Sequence, residues 1–333
     1  MIKNIQYKKL GEICDFISGG TPSKSKNEYW KNGNIPWIKI SDFKEKYIKY
    51  SDEKITKNGL ENSSAKLLKK GTILYTIFAS VGKVAILDIE ATTNQAIVGV
   101  NLKENNLVDK DFLYYFLCSI ENNIKRQARG VAQNNINISI LKNVCIPILP
   151  ISSQKNIVKT LMRLENILEN FKQKKILINF LNKSLFTTMF GDIKTNDKNW
   201  EMYYWKDILN IKNGKNQKQV EDINGKYPIY GSGGIIGRSN AYICNENSII
   251  IGRKGNINKP ILVKEKFWNV DTAFGLEVKS EKMSYHYLYY FCLFYDFEIH
   301  NKAVTIPSLV KSDLEKIVLP VPPIELQNKF AER

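Results

Sequence analysis

The chain has 333 residues, more than one ordinary domain needs and about right for two. Its 49 Lys and Arg outweigh 33 Asp and Glu, giving a formal charge of +16, and a 43% hydrophobic content excludes a disordered basic tail. No apolar run approaches the roughly 18 to 20 residues of a membrane span, and the first residues hold no signal-peptide core. Five cysteines (Cys14, Cys118, Cys145, Cys244, Cys292) without a CxxC pair exclude a disulfide framework or a structural zinc site. These features predict a cytoplasmic, multi-domain protein.

In chain order, β-rich runs at 72–78, 84–87 and 97–102 stand between Gly, Asn and Ser turns. An aromatic helix is predicted over 111–120, and because its apolar residues fall on more than one face it should be buried. A short helix at 138–141 and a strand ending in Pro150 follow. Ser152 or Ser153 can then cap a helix whose apolar residues, Ile157, Leu161, Leu164, Leu168 and Phe171, are spaced as a heptad seam. The seam stumbles at Lys174-Lys175 and resumes out of register at Leu177, Leu181 and Leu185, before a C-terminal cap at Gly191. At 1.5 Å per residue such a helix is roughly 55 Å long, the length of a spacer. Its seam calls for a partner helix. Beyond it come strands at 248–251, 261–263 and 276–278, a second aromatic helix over 285–295 and a short helix at 309–314.

The second half repeats the first. Phe112–Leu117 returns as Tyr287–Cys292, 175 residues on, and Leu141–Gln154 (LKNVCIPILPISSQ) returns as Leu314–Gln327 (LEKIVLPVPPIELQ), 173 on. Gly71–Leu74 answers Asn247–Ile250 at 176. The expected plan is an α+β protein of two repeated mixed α/β modules, 1–150 and 192–322, joined by a spacer helix at 151–191. Residues 323–333 start a second spacer helix that ends about 30 residues short of the first, through truncation or by nature.

The basic excess is spread broadly: 22 Lys/Arg against 14 Asp/Glu in 1–150, 7 against 2 in 151–191, and 20 against 17 in 192–333. Such a balance suggests phosphate backbones or another anionic partner. Only six of the 49 cations are Arg, however, a bias that an AT-rich coding sequence also produces.

Several ordered strings carry a family resemblance. In the first half they are Leu10-Gly11-Glu12-Ile13, Ser18-Gly19-Gly20-Thr21-Pro22-Ser23, Ile35-Pro36-Trp37-Ile38-Lys39-Ile40-Ser41-Asp42, Ser80-Val81-Gly82-Lys83 and Thr93-Asn94-Gln95-Ala96. Gln133-Asn134-Asn135-Ile136 and Ile146-Pro147-Ile148-Leu149-Pro150 follow, and the second half adds Tyr227-Pro228-Ile229-Tyr230-Gly231-Ser232-Gly233-Gly234. Over essentially its whole length the chain resembles the DNA-specificity subunit of Type I restriction–modification systems. The resemblance implies two target recognition domains, each reading one half of a bipartite site on double-stranded DNA. It implies that the spacer helix sets the gap between them and docks methyltransferase (modification) subunits, with restriction/translocase subunits joining the complex. No cofactor is expected on this chain; S-adenosylmethionine, ATP and Mg would sit on the partner subunits. The short second helix leaves open whether the seam (Ile157, Leu161, Leu164, Leu168, Phe171, Leu181, Leu185) recruits the modification subunit or a second copy of the chain.

Within that reading, cations beside small residues at turns are the candidate DNA contacts, since phosphate contacts position a protein and base-edge contacts specify sequence. Lys24 and Lys26 follow Gly19-Gly20-Thr21-Pro22, and Lys215 and Lys218 follow Gly214. Lys39 lies in the Trp37 string, and Arg238 follows Gly237. Ser80 and Lys83 match Arg253, Lys254 and Asn256 in position between two strands. Arg253 is the best candidate for a bidentate guanine contact. Arg129 with Gln133, Asn134 and Asn135 forms a polar loop suited to adenine. Asn94 and Asp271 occupy matching places and are as easily turn formers as contacts.

Enzyme readings are thin. There is no Asn/Asp-Pro-Pro-aromatic string of an amino-methyltransferase and no P-loop, and the glycines from Gly231 to Gly237 lack nucleotide-site spacing. Asp88 and Glu90 make a poor nuclease metal site, and only two histidines, His286 and His300, are present. A non-catalytic recognition subunit is expected. The rivals are the recognition part of a fused restriction endonuclease or methyltransferase, and a protein-binding adaptor with weak DNA affinity.

Overall fold

The computed structural model describes residues 5–103, 107–128, 136–303 and 305–333. The chain divides into two compact units, Met1–Asn170 and Phe171–Arg333. No helix among the described residues is long and apolar enough to cross a membrane.

In the first unit a five-stranded sheet runs in the order Cys14–Ser18, Ile97–Leu102, Ile73–Thr76, Val84–Leu87, Tyr47–Ile48. A three-stranded sheet places Ile35–Ile38 between Lys54–Ile55, antiparallel to it, and Thr92–Thr93, parallel to it. The ribbon Gln6–Lys9 with Cys145–Ile148 ties the unit's beginning to its last strand.

Every residue of the central strand Ile73–Thr76 is buried, because side chains alternate between two covered faces. Ile73 and Tyr75 join the cluster under the aromatic helix Lys110–Ser119, with Phe112, Leu113 and Leu117. Leu74 faces the other way, to Ile38, Leu68 and Ala91. A strand covered on both sides reads as an unbroken apolar run, which is why Ile73–Thr76 and Val84–Leu87 stand out in the sequence.

The second unit repeats this plan. Its main sheet has the order Leu209–Asn213, Ala273–Val278, Ser248–Gly252, Ile261–Val263. Its smaller sheet has Tyr227–Gly231 between Gly234–Ser239 and Trp268–Asn269, the latter again parallel. Glu201–Tyr204 pairs with Val318–Val321 as the closing ribbon. Ile249 and Ile251 pack under the aromatic helix Tyr285–Phe294, while Ile250 faces Cys244 and Phe267.

The aromatic helices are core elements, but their tyrosine hydroxyls do not all reach for solvent. Tyr287 donates to the buried carbonyl of Pro320 at 2.7 Å, and Tyr115 donates to Glu165 at 2.6 Å. Asn182 donates to Tyr290, the repeat equivalent of Tyr115, at 3.4 Å.

One long helix, Ile151–Phe190, spans 40 residues, about 60 Å at 1.5 Å per residue. It begins before either serine named as a cap, with the Pro150 carbonyl accepting from the N–H of Gln154. It ends as expected: Gly191 adopts φ +82° and donates its N–H to Thr187. Each unit anchors a helix start with the same device. Gln154, fully buried, donates to the carbonyls of Leu107 (2.8 Å) and Leu149 (2.7 Å) and accepts from Asp109 N–H (2.8 Å). Gln327, fully buried where the helix Ile324–Ala331 begins, donates to Lys282 and Pro322 and accepts from Ser284 N–H. Asp109 and Ser284 are also the N-caps of the aromatic helices, so one glutamine pins two helix starts.

Candidate nucleic-acid interface

In both units two of the described candidate loops bond to the segment preceding the last long strand of the main sheet. In the first, Gly20 N–H bonds the Thr93 carbonyl and Ile77 N–H that of Ala96; in the second, Lys215 N–H bonds the Asn269 carbonyl and Arg253 N–H that of Thr272. The close packing begins with a glycine. A Cβ on Gly19 would lie 2.0 Å from the Asn94 carbonyl oxygen, and one on Gly214 would lie 1.8 Å from that of Val270. Only glycine allows that approach. In both copies a tryptophan then fixes the next residue: Trp37 donates to the Gly20 carbonyl and Trp268 to the Lys215 carbonyl, each at 2.9 Å. The two indoles come from different strands of the same parallel pair.

In the first unit Thr21 hydrogen-bonds Gln95, Asn94 accepts from Ala96 N–H as a turn former, and Ile77 N–H bonds the Ala96 carbonyl. This joins the Lys24 loop to the Ser80 loop. Lys24 and Lys39 converge on one carboxylate, Glu53, at 2.8 and 2.5 Å. The two lysine hydrogen bonds hold the Glu53 carboxyl below its usual range, and the same contact raises Lys39. The Lys24 ammonium also lies 3.7 Å from the Trp30 ring centroid. Lys26 is separate; it donates to the Tyr29 hydroxyl at 2.9 Å.

Ser80 and Lys83 sit in a tight turn braced by Thr76, whose hydroxyl donates to the Ser80 carbonyl and accepts from Lys83 N–H. Lys83 is exposed and shares a cleft with Lys44, Lys46 and Glu121. Arg129, Gln133, Asn134 and Asn135 lie outside the described residues. Ile136 donates its N–H to the Ile77 carbonyl at 3.0 Å.

In the second unit Arg253 N–H bonds the Thr272 carbonyl, and its guanidinium reaches the Asp271 carbonyl at 3.4 Å. Arg253, Lys254 and Asn256 are all exposed. The hairpin turn Gly231–Gly234 lies against them: Asn256 Nδ2 is 3.4 Å from where a Gly233 Cβ would be, and Ser232 Oγ is 3.9 Å from that of Gly255. A third segment closes the group where Gly255 N–H bonds the Pro307 carbonyl. Ile235, Ile236 and Ile306 stand exposed in these segments, the kind of apolar side chain that meets a thymine methyl. Lys215 and Lys218 are exposed on the neighbouring loop. Arg238 does a different job: its guanidinium donates to the carbonyls of Gly225 and Lys226 and braces that loop.

The sequence does not point to Glu53 or Pro307 as neighbours of the candidate contacts. Glu53 carries no motif, and its lysines lie 29 and 14 residues away. The Gly231–Gly234 string stands out in the sequence, but its place beside Asn256 depends on a contact between separate loops.

On the long helix, Leu164, Leu168, Phe171 and Leu181 are exposed, Ile157 marginally so and Leu161 half-buried. Leu185 instead packs against the second unit's core.

Comparison with known proteins identifies this duplicated frame. The family model described as "Type I restriction modification DNA specificity domain" matches residues 2–179 and again 197–333. The Type I restriction enzyme MjaIX specificity subunit of Methanocaldococcus jannaschii is 28% identical over 371 residues, covering 98% of this chain and 85% of that protein. The EcoR124I/EcoR124II specificity subunit of Escherichia coli is 32% identical over 211 residues, 62% of this chain and 48% of that one. The crystal structure of a Type I restriction–modification S subunit from M. genitalium aligns with a TM-score of 0.63 at 19% identity, covering 100% of this chain and 89% of that one. The chain belongs to the family of Type I restriction–modification DNA-specificity subunits, and it carries two copies of the family's domain.

Proposed function

We propose that this chain is the sequence-reading subunit of a Type I restriction–modification complex, each unit reading one half of a bipartite duplex site. The observation that carries the reading is the doubled loop cluster: family membership accounts for two domains, and each domain gathers exposed cations around the same turn. In the second unit Arg253 and Asn256, beside the Ser232 hairpin, offer the donors and acceptors that base edges require. In the first, Lys83, Lys24 and Lys39 supply phosphate contacts. The long helix sets the unread gap between half-sites and presents its exposed seam to methyltransferase subunits. Methylation and cleavage belong to those partners and to a translocase, which would hold S-adenosylmethionine, ATP and Mg.

Mapping of methylated bases in cells with and without this chain tests the proposal. A bipartite methylated motif present only with the chain is the expected result. An unchanged methylome in cells that express the modification subunit would reject it.

A further inference from the structure

We propose that Glu53 is a built-in competitor of DNA phosphate: by holding Lys24 and Lys39 on its two carboxylate oxygens, it weakens the first unit's grip on duplexes that offer backbone contacts alone. The inference rests on the DNA-binding reading and adds a residue that lowers affinity for DNA lacking the target sequence.

Three segments meet at this carboxylate. Lys24 comes from the loop after Gly20, Lys39 follows the strand Ile35–Ile38, and Glu53 precedes the strand Lys54–Ile55. Oε2 takes Lys24 at 2.8 Å and Oε1 takes Lys39 at 2.5 Å, so each oxygen holds one ammonium. Both lysines and the glutamate remain open to solvent, with side-chain exposures of 59%, 34% and 34%. A phosphate can therefore reach the same N–H donors. Carboxylate and phosphate oxygens compete for them, and the carboxylate has the advantage of being tethered in place.

The surroundings make the exchange feasible. Trp30 and Trp37 meet edge to face at 5.0 Å, and the Lys24 ammonium lies 3.7 and 4.8 Å from their centroids. These rings attract the cation with or without Glu53. A duplex without the target sequence supplies only phosphates to displace the carboxylate. A matched half-site adds base contacts, and the displacement becomes favourable as part of a larger set. The second unit lacks the device. Among the described residues no carboxylate pairs with Lys215, Lys218, Arg253 or Lys254. Two candidate cations of the first unit thus share one carboxylate, and no such shared carboxylate is found at the candidate cations of the second.

The test uses the full chain and a random-sequence duplex of about 30 base pairs, titrated by fluorescence anisotropy across roughly 50–200 mM salt. Glu53→Gln should tighten binding by about three- to tenfold at the low-salt end. It should also steepen the log–log salt slope by about one. The gain should vanish when Lys24→Gln and Lys39→Gln are already present. Glu61→Gln removes the same charge from the exposed Lys57 pair and should give a clearly smaller gain. Thermal melting of each variant checks that the fold is kept. Equal gains from Glu53→Gln and Glu61→Gln would reduce the effect to net charge and overturn the inference, as would unchanged or weaker binding by Glu53→Gln. Salt-insensitive or absent binding by the wild-type chain would instead bring down the DNA-binding reading, and this inference with it.

Discussion

Gln154 and Gln327 show how much one side chain can organise in this fold. Each satisfies two carbonyls and one N–H in the interior, where an unmet polar group costs far more than a hydrogen bond contributes. Gln154→Ala would strand the N–H of Asp109, the residue that caps the aromatic helix. We expect a loss of about 2–3 kcal/mol, read as a lower midpoint in urea unfolding; a loss below about 0.5 kcal/mol would mean that water replaces the amide. Arg253 belongs to the other kind of residue, exposed, with its guanidinium 3.4 Å from the Asp271 carbonyl and 5.9 Å from the Phe274 ring centroid. Arg253→Ala should leave stability alone and relax the methylated motif at a position within one half-site. An unchanged motif would exclude it as a base reader. The glutamines were visible in the sequence only as members of the repeated string. Nothing in that string marks them as buried, because their partners lie up to 47 residues away.

At the scale of the element, the long helix was the easiest part to read and its edges the hardest. A heptad period running from Ile157 to Phe171 is a purely local signal. The start was misread because serines are good caps, whereas the ribbon and the buried Gln154 bring the chain into helix from Pro150 directly. Leu185 was read as seam because its spacing fits, yet the second unit's core takes it. The remaining seam is exposed, and between 176 and 181 apolar side chains surround the helix: Ile176, Leu177, Ile178, Phe180 and Leu181 are all uncovered. Such a segment fits more than one neighbouring helix. Leu164→Asn with Leu168→Asn should retain helix content by circular dichroism and lose association with the modification subunit, or self-association, in light scattering. Unaltered assembly would reject the seam as a docking face.

For the molecule as a whole, duplication was legible because three apolar strings recur in order, and strings survive when packing demands them. The strands Ile73–Thr76 and Ser248–Gly252 keep their character since both faces are covered in each copy. The interface was only half legible. Arg253, Lys254 and Asn256 could be found from their place between two strands, but the hairpin that meets them and the carboxylate that meets Lys24 arise from long-range contacts. Charge was the least direct guide. The larger basic excess lies in residues 1–150, yet there Glu53 engages two of the named lysines at once.

Trp37 and Trp268 show where the two halves differ in sequence and agree in structure. They serve equivalent carbonyls, those of Gly20 and Lys215, from opposite members of the parallel strand pair. Aligned residue by residue, the halves would show tryptophan at unmatched positions. What the two units share is the indole donor to that carbonyl, supplied from either strand of the pair. A comparison of matched letters alone would therefore understate how alike the two halves are.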